Sequence, residues 1–335
     1  MDYIDLQGKK VSNITNQDKL LSFLYTNIFG RMLLKPLIQP QVSKLAGRYL
    51  SSAHSKWLIS KFIERNEIDM DIYEECDYSS FNDFFTRKIK PDCRPVPEDL
   101  DVLISPCDCL ATVYPIQENT TFSIKNTEYT LRSLLRSPRL AKRFRGGYAY
   151  VLRLTVEDYH RYLYSVSGKQ SKNYHIDGTF HTVNPIANDY LPIYKENTRE
   201  YTVIRSKEFG DVLQMEVGAL LVGKISNHKQ STVVTRGEEK GFFEYGGSTI
   251  VVLTQKGRVT PRSDLLTNSK NGYETKVLQA HPLGRNVIQS MVAQRLRDIL
   301  VACAQGSQGI QFTNISVELI SDCDQILLIR LPCPL

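Results

Sequence analysis

The sequence predicts an α+β protein: N-terminal amphipathic helices, then a mainly antiparallel β core of barrel-like or sandwich-like form, then an atypical C-terminal tail. Changes of texture along the 335 residues support this fold class. Apolar residues recur at helical spacing before residue 64, strand-like runs punctuated by glycine fill 102–259, and the pattern changes again after 277. We therefore expect a helical region over 1–98, a β-rich domain over 99–277 and an extension over 278–335.

Composition narrows the class of protein further. With 41% hydrophobic residues the chain can bury a core without disulfides, and a net charge of +6 is too small to indicate nucleic acid. No apolar run reaches the ~20 residues that span a bilayer, and the start Met-Asp-Tyr-Ile-Asp is unlike a signal peptide. The seven cysteines form no spaced pairs of the kind that hold zinc. We expect a protein made in the cytoplasm, soluble or bound to a membrane surface, with reduced thiols and no metal.

The segment from Lys19 to Ile63 combines a helical pattern with positive charge. Leucine, isoleucine and methionine recur at steps of three and four residues, until Pro36 and Pro40 are expected to break the helix. The segment has no acidic residue but seven basic ones: Lys19, Arg31, Lys35, Lys44, Arg48, Lys56 and Lys61. Two interpretations stay open: helices that lie on an anionic lipid surface, or a helical cap that packs on the protein's own core.

Shorter signals define the elements that follow. Ser80-Phe-Asn-Asp83 is like a capping box and predicts a short helix, and the proline-rich stretch Pro91–Pro97 ends the helical texture. Five strands and one short helix are predicted next: Tyr148–Val156, Tyr201–Arg205, Val212–Ile225, Thr232–Thr235 and Thr249–Thr254 as strands, Leu131–Leu135 as helix. No βαβ alternation is visible, which argues against a doubly wound nucleotide-binding fold. In the tail we expect a helix over Asn286–Ala304 and two strands within Ile310–Leu331.

The motif that carries chemistry is Gly246-Gly247-Ser248-Thr249, directly before the apolar run Ile250–Leu253. Two glycines permit backbone bends that other residues resist, so Ser248 Oγ can approach the Gly247 carbonyl carbon and form an ester. Elimination and hydrolysis of that ester would leave a pyruvoyl group, whose carbonyl forms a Schiff base with an amine and accepts carbanion electrons. Taken alone, the tetrapeptide is more typical of a turn that enters a strand, and it is the surrounding sequence that favours the chemistry.

The surrounding sequence resembles the phosphatidylserine decarboxylase family. The first block of the resemblance is the run Phe81-Asn-Asp-Phe-Phe-Thr-Arg-Lys-Ile-Lys-Pro-Asp-Cys-Arg-Pro95. The later blocks, in family order, are Ser105–Asp108, Asp158–Tyr162 with Gly168, Thr182–Ala187, Glu216–Ile225 and Arg236–Thr249. Six blocks in the family's order between Phe81 and Val277 are not a chance agreement, so residues 99–277 are identified as its catalytic domain.

The resemblance implies that the chain cleaves itself between Gly247 and Ser248. The products would be a β chain, residues 1–247, and an α chain that starts with a pyruvoyl group derived from Ser248. It also implies decarboxylation of phosphatidylserine to phosphatidylethanolamine at an anionic membrane, with the enzyme peripheral on the cytoplasmic face. It leaves a homodimer open.

Two site residues carry over directly from the family pattern. The family's aspartate orients a histidine that draws the proton from the serine. Asp108 matches that aspartate, although Cys109 stands where the family has glycine. His160, within Asp158-Tyr-His-Arg-Tyr162, matches the histidine that the family assigns mainly to decarboxylation.

A second family histidine, assigned to the proteolytic relay, is missing because Leu163 occupies its position. His181, directly before Thr182, is the candidate replacement for the absent imidazole. The alternative for His181 is an ordinary surface histidine at a strand end, and geometry must decide between the two.

A rival function follows from two departures, the missing histidine and a tail after Val277 that resembles nothing in the family. The rival is a catalytically silent relative that binds anionic membranes through its basic helices. A third interpretation is a pyruvoyl decarboxylase that acts on a soluble amino acid. Denaturing electrophoresis separates the first two, because a self-processing enzyme gives two chains and a silent relative gives one.

Overall fold

The computed structural model describes residues 2–12, 23–24, 27–37, 39–124, 127–179, 196–218, 225–244 and 248–288. All of them belong to the unit Met1–Ser290. The architecture is α+β, and the strand pairs are antiparallel except for one parallel pair at the N-terminus. In this part of the chain, no helix combines the length and the apolar character needed to cross a bilayer.

The described helices are short and lie mostly before residue 144. They are α1 (Ile28–Leu37), α2 (Pro40–Leu50), α3 (Trp57–Arg65), α4 (Phe81–Phe85), α5 (Leu131–Leu135), α6 (Pro138–Arg143) and α7 (Ser263–Lys270). Single turns of 3-10 helix lie at Ala53–Ser55, Met70–Ile72 and Pro91–Cys93.

The strands begin at the N-terminus and dominate the chain after residue 101. They are β1 (Asp2–Ile4), β2 (Lys10–Ser12), β3 (Val102–Ile104), β4 (Cys109–Pro115), β5 (Thr121–Ile124), β6 (Thr127–Thr130), β7 (Tyr148–Leu154), β8 (Arg161–Leu163), β9 (Gly168–Gln170), β10 (Tyr174–Ile176), β11 (Arg199–Ser206), β12 (Gly210–Val217), β13 (Ile225–Asn227), β14 (Val233–Val234), β15 (Glu239–Phe243), β16 (Ser248–Thr254), β17 (Val259–Pro261), β18 (Glu274–Val277) and β19 (Pro282–Asn286).

The main sheet has the order β14-β9-β11-β12-β16-β7-β4-β18-β1-β2, with β10 paired to β11. Its central strand is β16, in which all seven residues are buried. The run Ile250–Leu253 suits this position, because β-branched and aliphatic side chains fit a strand that is covered on both faces. The described ends of the sheet, β14 and β2, do not pair with each other, so the predicted barrel is wrong and the sheet is open.

A small sheet of β13, β15 and β8 lies against the main sheet and gives the core a sandwich-like layer. Gln214 of β12 donates from Nε2 to the carbonyl of Leu163 in β8 at 3.0 Å. Two further sheets are smaller still: β17-β19-β3 and the hairpin β5-β6. The layer of β8 and β15 matters most for function, because it covers the face on which Ser248 lies.

The N-terminal helices both pack and expose apolar residues. Leu34 of α1 is buried in the main core, and Leu50 of α2 forms a second core with α4. The same helices expose large apolar side chains: Phe29, Met32, Leu33, Leu45 and Trp57. The expected helix break is half right: Pro40 starts α2 at its first turn, where proline is tolerated, but Pro36 lies inside the last turn of α1.

Helix α4 begins where the capping pattern predicts. Ser80 Oγ accepts from the backbone N–H of Asp83 at 3.2 Å, which satisfies one of the free donors of the first turn. The return bond of a capping box is displaced by one residue, because the Asp83 carboxylate accepts from the Ser79 N–H at 2.8 Å.

The first residues of the expected C-terminal extension are part of the fold. Strand β19 pairs with both β17 and β3, and so completes a sheet that starts in the N-terminal half of the chain. The predicted tail helix, beyond its first residues, and the two strands within Ile310–Leu331 lie outside the described residues.

Candidate active site

Three of the predicted site residues lie at one end of the main sheet. Ser248 begins β16 and pairs with Leu154, the last residue of β7. Asp108 directly precedes β4, which pairs with the same end of β7. His160 lies in the connection from β7 to β8. The topology therefore gathers an aspartate, a histidine and the serine of Gly-Gly-Ser-Thr around the end of β7.

The strand order limits how Asp108 can act on Ser248. Strands β4 and β16 lie on opposite sides of β7. Two interstrand spacings place them about 10 Å apart, which is too far for a hydrogen bond between the two side chains. Any action of Asp108 on Ser248 therefore needs a group between them, as a relay requires.

The Asp108 carboxylate is fully engaged by neighbours. Arg94 donates from Nε to Oδ1 at 3.0 Å and from Nη2 to Oδ2 at 2.7 Å. The backbone N–H of Gln279 also donates to Oδ1, at 2.7 Å. Cys109, which replaces the family's glycine, is buried as the first residue of β4 and leaves these contacts intact.

His160 is fully buried, and its ring is held on two sides. Nδ1 lies 2.8 Å from the carbonyl oxygen of Asp158; a carbonyl only accepts, so Nδ1 carries the proton. The ring of Phe85 lies 4.2 Å from the imidazole, centroid to centroid. The His160 carbonyl accepts from the Phe243 N–H at 3.0 Å, which ties the histidine to the strand that leads toward Ser248.

The turn that carries His160 is itself anchored by a buried ion pair. Asp158 accepts from the Thr155 N–H and Oγ1, each at 2.7 Å, and pairs with the Lys276 ammonium. Burial alone would raise the pKa of Asp158, but Lys276 and the Thr155 donors hold it below its ordinary value. Burial likewise opposes the charge on Lys276, yet the Asp158 carboxylate raises its pKa. Both groups are therefore ionised around neutral pH, and the His160 turn is fixed.

Ser248 lies in an environment in which the described residues leave its hydroxyl unsatisfied. Its side chain is fully buried, and its Oγ has no hydrogen-bond partner among the described residues. A buried hydroxyl without a partner costs about 1–3 kcal/mol, so such groups call for an explanation in function.

The chain is similar to known proteins over about four fifths of its length. The family described as "Phosphatidylserine decarboxylase" matches residues 81–281. The chain is 43% identical over 265 residues to "Phosphatidylserine decarboxylase proenzyme 2" of Clostridium acetobutylicum, covering 79% of this chain and 91% of that protein. It is 37% identical over 273 residues to "Phosphatidylserine decarboxylase proenzyme" of Clostridium botulinum, covering 80% and 92%. The relative from Clostridium novyi is 37% identical with the same coverage.

The chain belongs to the phosphatidylserine decarboxylase family. Within this decarboxylase-family chain the matched region begins at α4 and ends beside β19. It contains every predicted site residue, and it continues four residues past Val277, where the extension was expected to begin.

Two of the predicted site residues cannot be placed. His181 and Gly247 lie outside the described residues, so the roles proposed for them stay predictions. Leu163, which occupies the position of the relay histidine, is half-buried in β8. Among the described residues, Asp108 makes no hydrogen bond to a histidine.

Sequence reasoning missed the residues that support the site of this decarboxylase-family protein. Arg94 on Asp108 and Phe85 on His160 both lie in the first family block, where their individual roles carry no signature. Lys276 had no readable signal either, because a lysine that alternates with buried residues along a strand ordinarily faces solvent. The pKa of His281 is lowered by burial and then by the cations of Arg94 and Arg262.

The covalent group that the family implies would come from the chain itself. Ser248 would supply the three carbons of a pyruvoyl group, and its buried hydroxyl, without a partner among the described residues, fits that role. In the described part of the chain no three His, Cys, Asp or Glu side chains are grouped to hold a metal ion.

Proposed function

We propose that this protein is a self-cleaving phosphatidylserine decarboxylase that acts at a membrane surface. The observation that carries the proposal is Ser248: the first residue of the central strand, fully buried, with an Oγ that has no partner among the described residues. It follows Gly246-Gly247 in the sequence, and the relatives are named as proenzymes.

Maturation begins with an acyl shift. Ser248 Oγ bonds to the carbonyl carbon of Gly247 while the Gly247–Ser248 C–N bond breaks, and the proton lost by Oγ is balanced by one gained at the nitrogen. Elimination of the resulting ester frees Gly247 as the carboxyl end of the β chain. Water then replaces the nitrogen of the former Ser248, which leaves as ammonia, and a pyruvoyl group begins the α chain.

A pyruvoyl carbonyl supplies an electrophile for the substrate's amine and an acceptor for the electrons that loss of CO2 leaves behind. The residues around it have separate tasks. We assign His160 to the decarboxylation step, with Nδ1 fixed by Asp158 so that the imidazole has one orientation. Asp108, held by Arg94, supports the relay that prepares Ser248, and His181 is the histidine that the sequence offers to complete it.

The N-terminal helices are the proposed membrane contact. Phe29, Met32 and Leu33 of α1 are 69%, 65% and 59% exposed, and Leu45 of α2 is 68% exposed. Apolar side chains beside a segment with basic but no acidic residues suit insertion at an anionic lipid surface. We therefore place the protein as a peripheral protein on the cytoplasmic face of the cell membrane, where its lipid substrate lies.

One observation favours the silent relative as a second candidate: Leu163 stands where the family's relay histidine is assigned. The test is mass spectrometry of the purified protein together with CO2 release from vesicles containing phosphatidylserine. The proposal expects an α chain that begins with a pyruvoyl group at position 248, and CO2 release from the lipid. An intact chain without CO2 release would instead support the silent relative, and release only from free serine would support the soluble substrate.

A further inference from the structure

A fully buried ion pair lies in the layer between the two packed sheets. Lys240 of β15 donates from Nζ to Glu216 Oε2 of β12 at 2.8 Å, and both side chains are 0% exposed. Burying two charges costs more than their attraction usually returns, and apolar residues of similar size are often equally stable there. Stability therefore does not explain this pair, and the chemistry assigned so far does not use it.

Charged and polar groups from three further strands face the pair. Asn227 of β13 accepts from Lys240 at 2.7 Å and donates to Glu216 Oε2 at 3.3 Å. Asn227 also donates to Glu200 of β11 at 2.5 Å, and the Tyr162 hydroxyl of β8 donates to Asn227 Oδ1 at 3.2 Å. Asn227 thus links the Glu200 carboxylate to the ion pair, and Glu216 Oε2 accepts from both Lys240 and Asn227.

The other oxygen of Glu216, Oε1, accepts no hydrogen bond from a described residue, and Ser248 lies on the same face of the sheet as Glu216. Glu216 pairs with Ile250 in the β12–β16 register, so the side chain of Ser248, two residues earlier, lies on the same face. The Cα atoms of such diagonal neighbours are about 7–8 Å apart, and their Cβ atoms are somewhat closer. Glu216 Oε1 and Ser248 Oγ are both buried without a hydrogen-bond partner among the described residues. The Glu216 side chain is long enough to reach Ser248 across this diagonal, either directly or through one water.

We propose that Glu216 is the base for the elimination step that turns the Ser248 ester into the pyruvoyl precursor. This inference rests on the proposed function. Glu216 takes the proton from the Cα of Ser248, a Cα–Cβ double bond forms, and the Cβ–Oγ bond breaks with its electrons leaving on the Gly247 carboxylate. The protonated Glu216 then returns the proton to Cβ as the enamine becomes an imine, which water converts to the ketone and ammonia.

The environment of Glu216 suits this task. A proton on carbon is weakly acidic, so its removal needs a desolvated carboxylate that is fixed in place. Burial raises the pKa of Glu216, with Glu200 acting in the same direction and Lys240 and Asn227 in the opposite one. A base with a raised pKa is a stronger proton acceptor, and the hydrogen bond from Lys240 fixes the position of its carboxylate. In this assignment the Asp108 relay removes the proton of Ser248 Oγ in the acyl shift, and Glu216 acts only in the later elimination.

The test uses the full chain and asks where maturation stops. Glu216→Gln with Lys240→Met removes the base and leaves no unpaired buried charge, and Glu216→Asp keeps the ion pair but shortens the side chain. In both variants we expect the ester to accumulate and the pyruvoyl group to form at least 100-fold more slowly, as loss of a positioned base implies (about 10²–10⁴). Hydroxylamine should then split the chain and release an α chain that begins with Ser248, heavier by one ammonia than the pyruvoyl form.

The matched control is Glu238→Gln with Lys229→Met, which removes a partly exposed glutamate–lysine pair that does not contact Glu216. It should form the pyruvoyl group at the wild-type rate. Pyruvoyl formation at the wild-type rate in the double variant would overturn the assignment. A folded double variant that hydroxylamine does not split would also overturn it, since the block would then precede the ester. A wild-type chain that never splits would contradict the proposed function itself.

Discussion

Arg94 binds the Asp108 carboxylate through two hydrogen bonds, from Nε to Oδ1 at 3.0 Å and from Nη2 to Oδ2 at 2.7 Å. Bidentate guanidinium–carboxylate pairs combine strength with a fixed orientation. The two side chains are only 12% and 7% exposed, so water cannot replace a lost partner. The carboxylate next to the end of β7 is therefore oriented before any substrate binds.

Arg94→Met should lower the free energy of unfolding by about 3–5 kcal/mol, because it leaves Asp108 buried without its partner. Arg94→Lys keeps the charge but loses the two-point contact, so it should cost less. Urea unfolding measures the free-energy loss in both variants. The Ser248→Ala background is used because every protein in it should remain a single chain. A loss of under about 1 kcal/mol in Arg94→Met would show that Asp108 is solvated.

Ser248→Ala should leave a full-length chain of 335 residues, because alanine has no Oγ to attack Gly247. Ser248→Cys should split slowly, since a thiol can make the equivalent acyl shift. Denaturing electrophoresis after prolonged incubation reads both results. Splitting of the Ser248→Ala chain at position 247 would sink the assignment of this serine.

The two histidines should separate the two stages of the reaction. His160→Ala should still yield two chains but release no CO2, since His160 is assigned to decarboxylation. His181→Ala should slow the splitting itself, as should Asp108→Ala, if the relay runs through these residues. Electrophoresis and a CO2 assay on each variant distinguish the stages. Splitting lost only in His160→Ala would show that His160 serves both stages and that His181 is structural.

Stability should depend on acid pH through Asp158 and Lys276. The pKa of Asp158 is lowered in the folded protein, so its stabilising contribution is complete above the unfolded value of about 3.9 and is lost as pH falls through the folded value. Lys276→Met removes the ammonium. The difference in unfolding free energy between wild type and variant, taken from denaturant titrations, should shrink below pH ~4. A difference that stays constant would mean that the pair is not ionised.

Membrane binding should depend on the charge of the N-terminal helices. Reversal of Arg31, Lys35, Lys44 and Arg48 to Glu should release the protein from anionic vesicles, and salt should weaken wild-type binding as the Debye length falls to ~3 Å at 1 M. The matched control reverses four exposed basic residues of the sheet: Lys169, Lys172, Arg205 and Lys207. Vesicle sedimentation measures both. Equal binding by wild type and the helix variant would favour a helical cap without a membrane role.

The sequence predicted elements best where one local pattern dominates. Helix α5 spans Leu131–Leu135 as expected, and β16 starts one residue before the predicted Thr249. The strand predicted over Val212–Ile225 ends at Val217, because the period-two apolar pattern does not show where a strand leaves its sheet. Barrel closure failed as a prediction for a related reason, since it depends on long-range pairing between edges.

From the sequence, the site residues that belong to a recognisable motif could be predicted, but the residues that contact them could not. Ser248 and His160 could be named from their motifs, and the topology brings both to the end of β7. The contacts of Arg94 with Asp108 and of Lys240 with Glu216 join residues 14 and 24 positions apart. Charge pairing at such separations is decided by how sheets stack, which no local spacing encodes.

Strand β16 is paired along its length with β12 and β7, and β18 and β19 pair with β1, β4 and β3. All of these partners precede Ser248 in the chain, so the proposed cut would divide two sheets between two polypeptides without freeing either. The cut protein would then hold together as a folded pair that neither piece can rebuild alone. Once denatured, it would have to reassemble by a bimolecular encounter, with a yield that depends on concentration. The lifetime of the cleaved protein would therefore be set by its unfolding rate, that is, by kinetic rather than equilibrium stability.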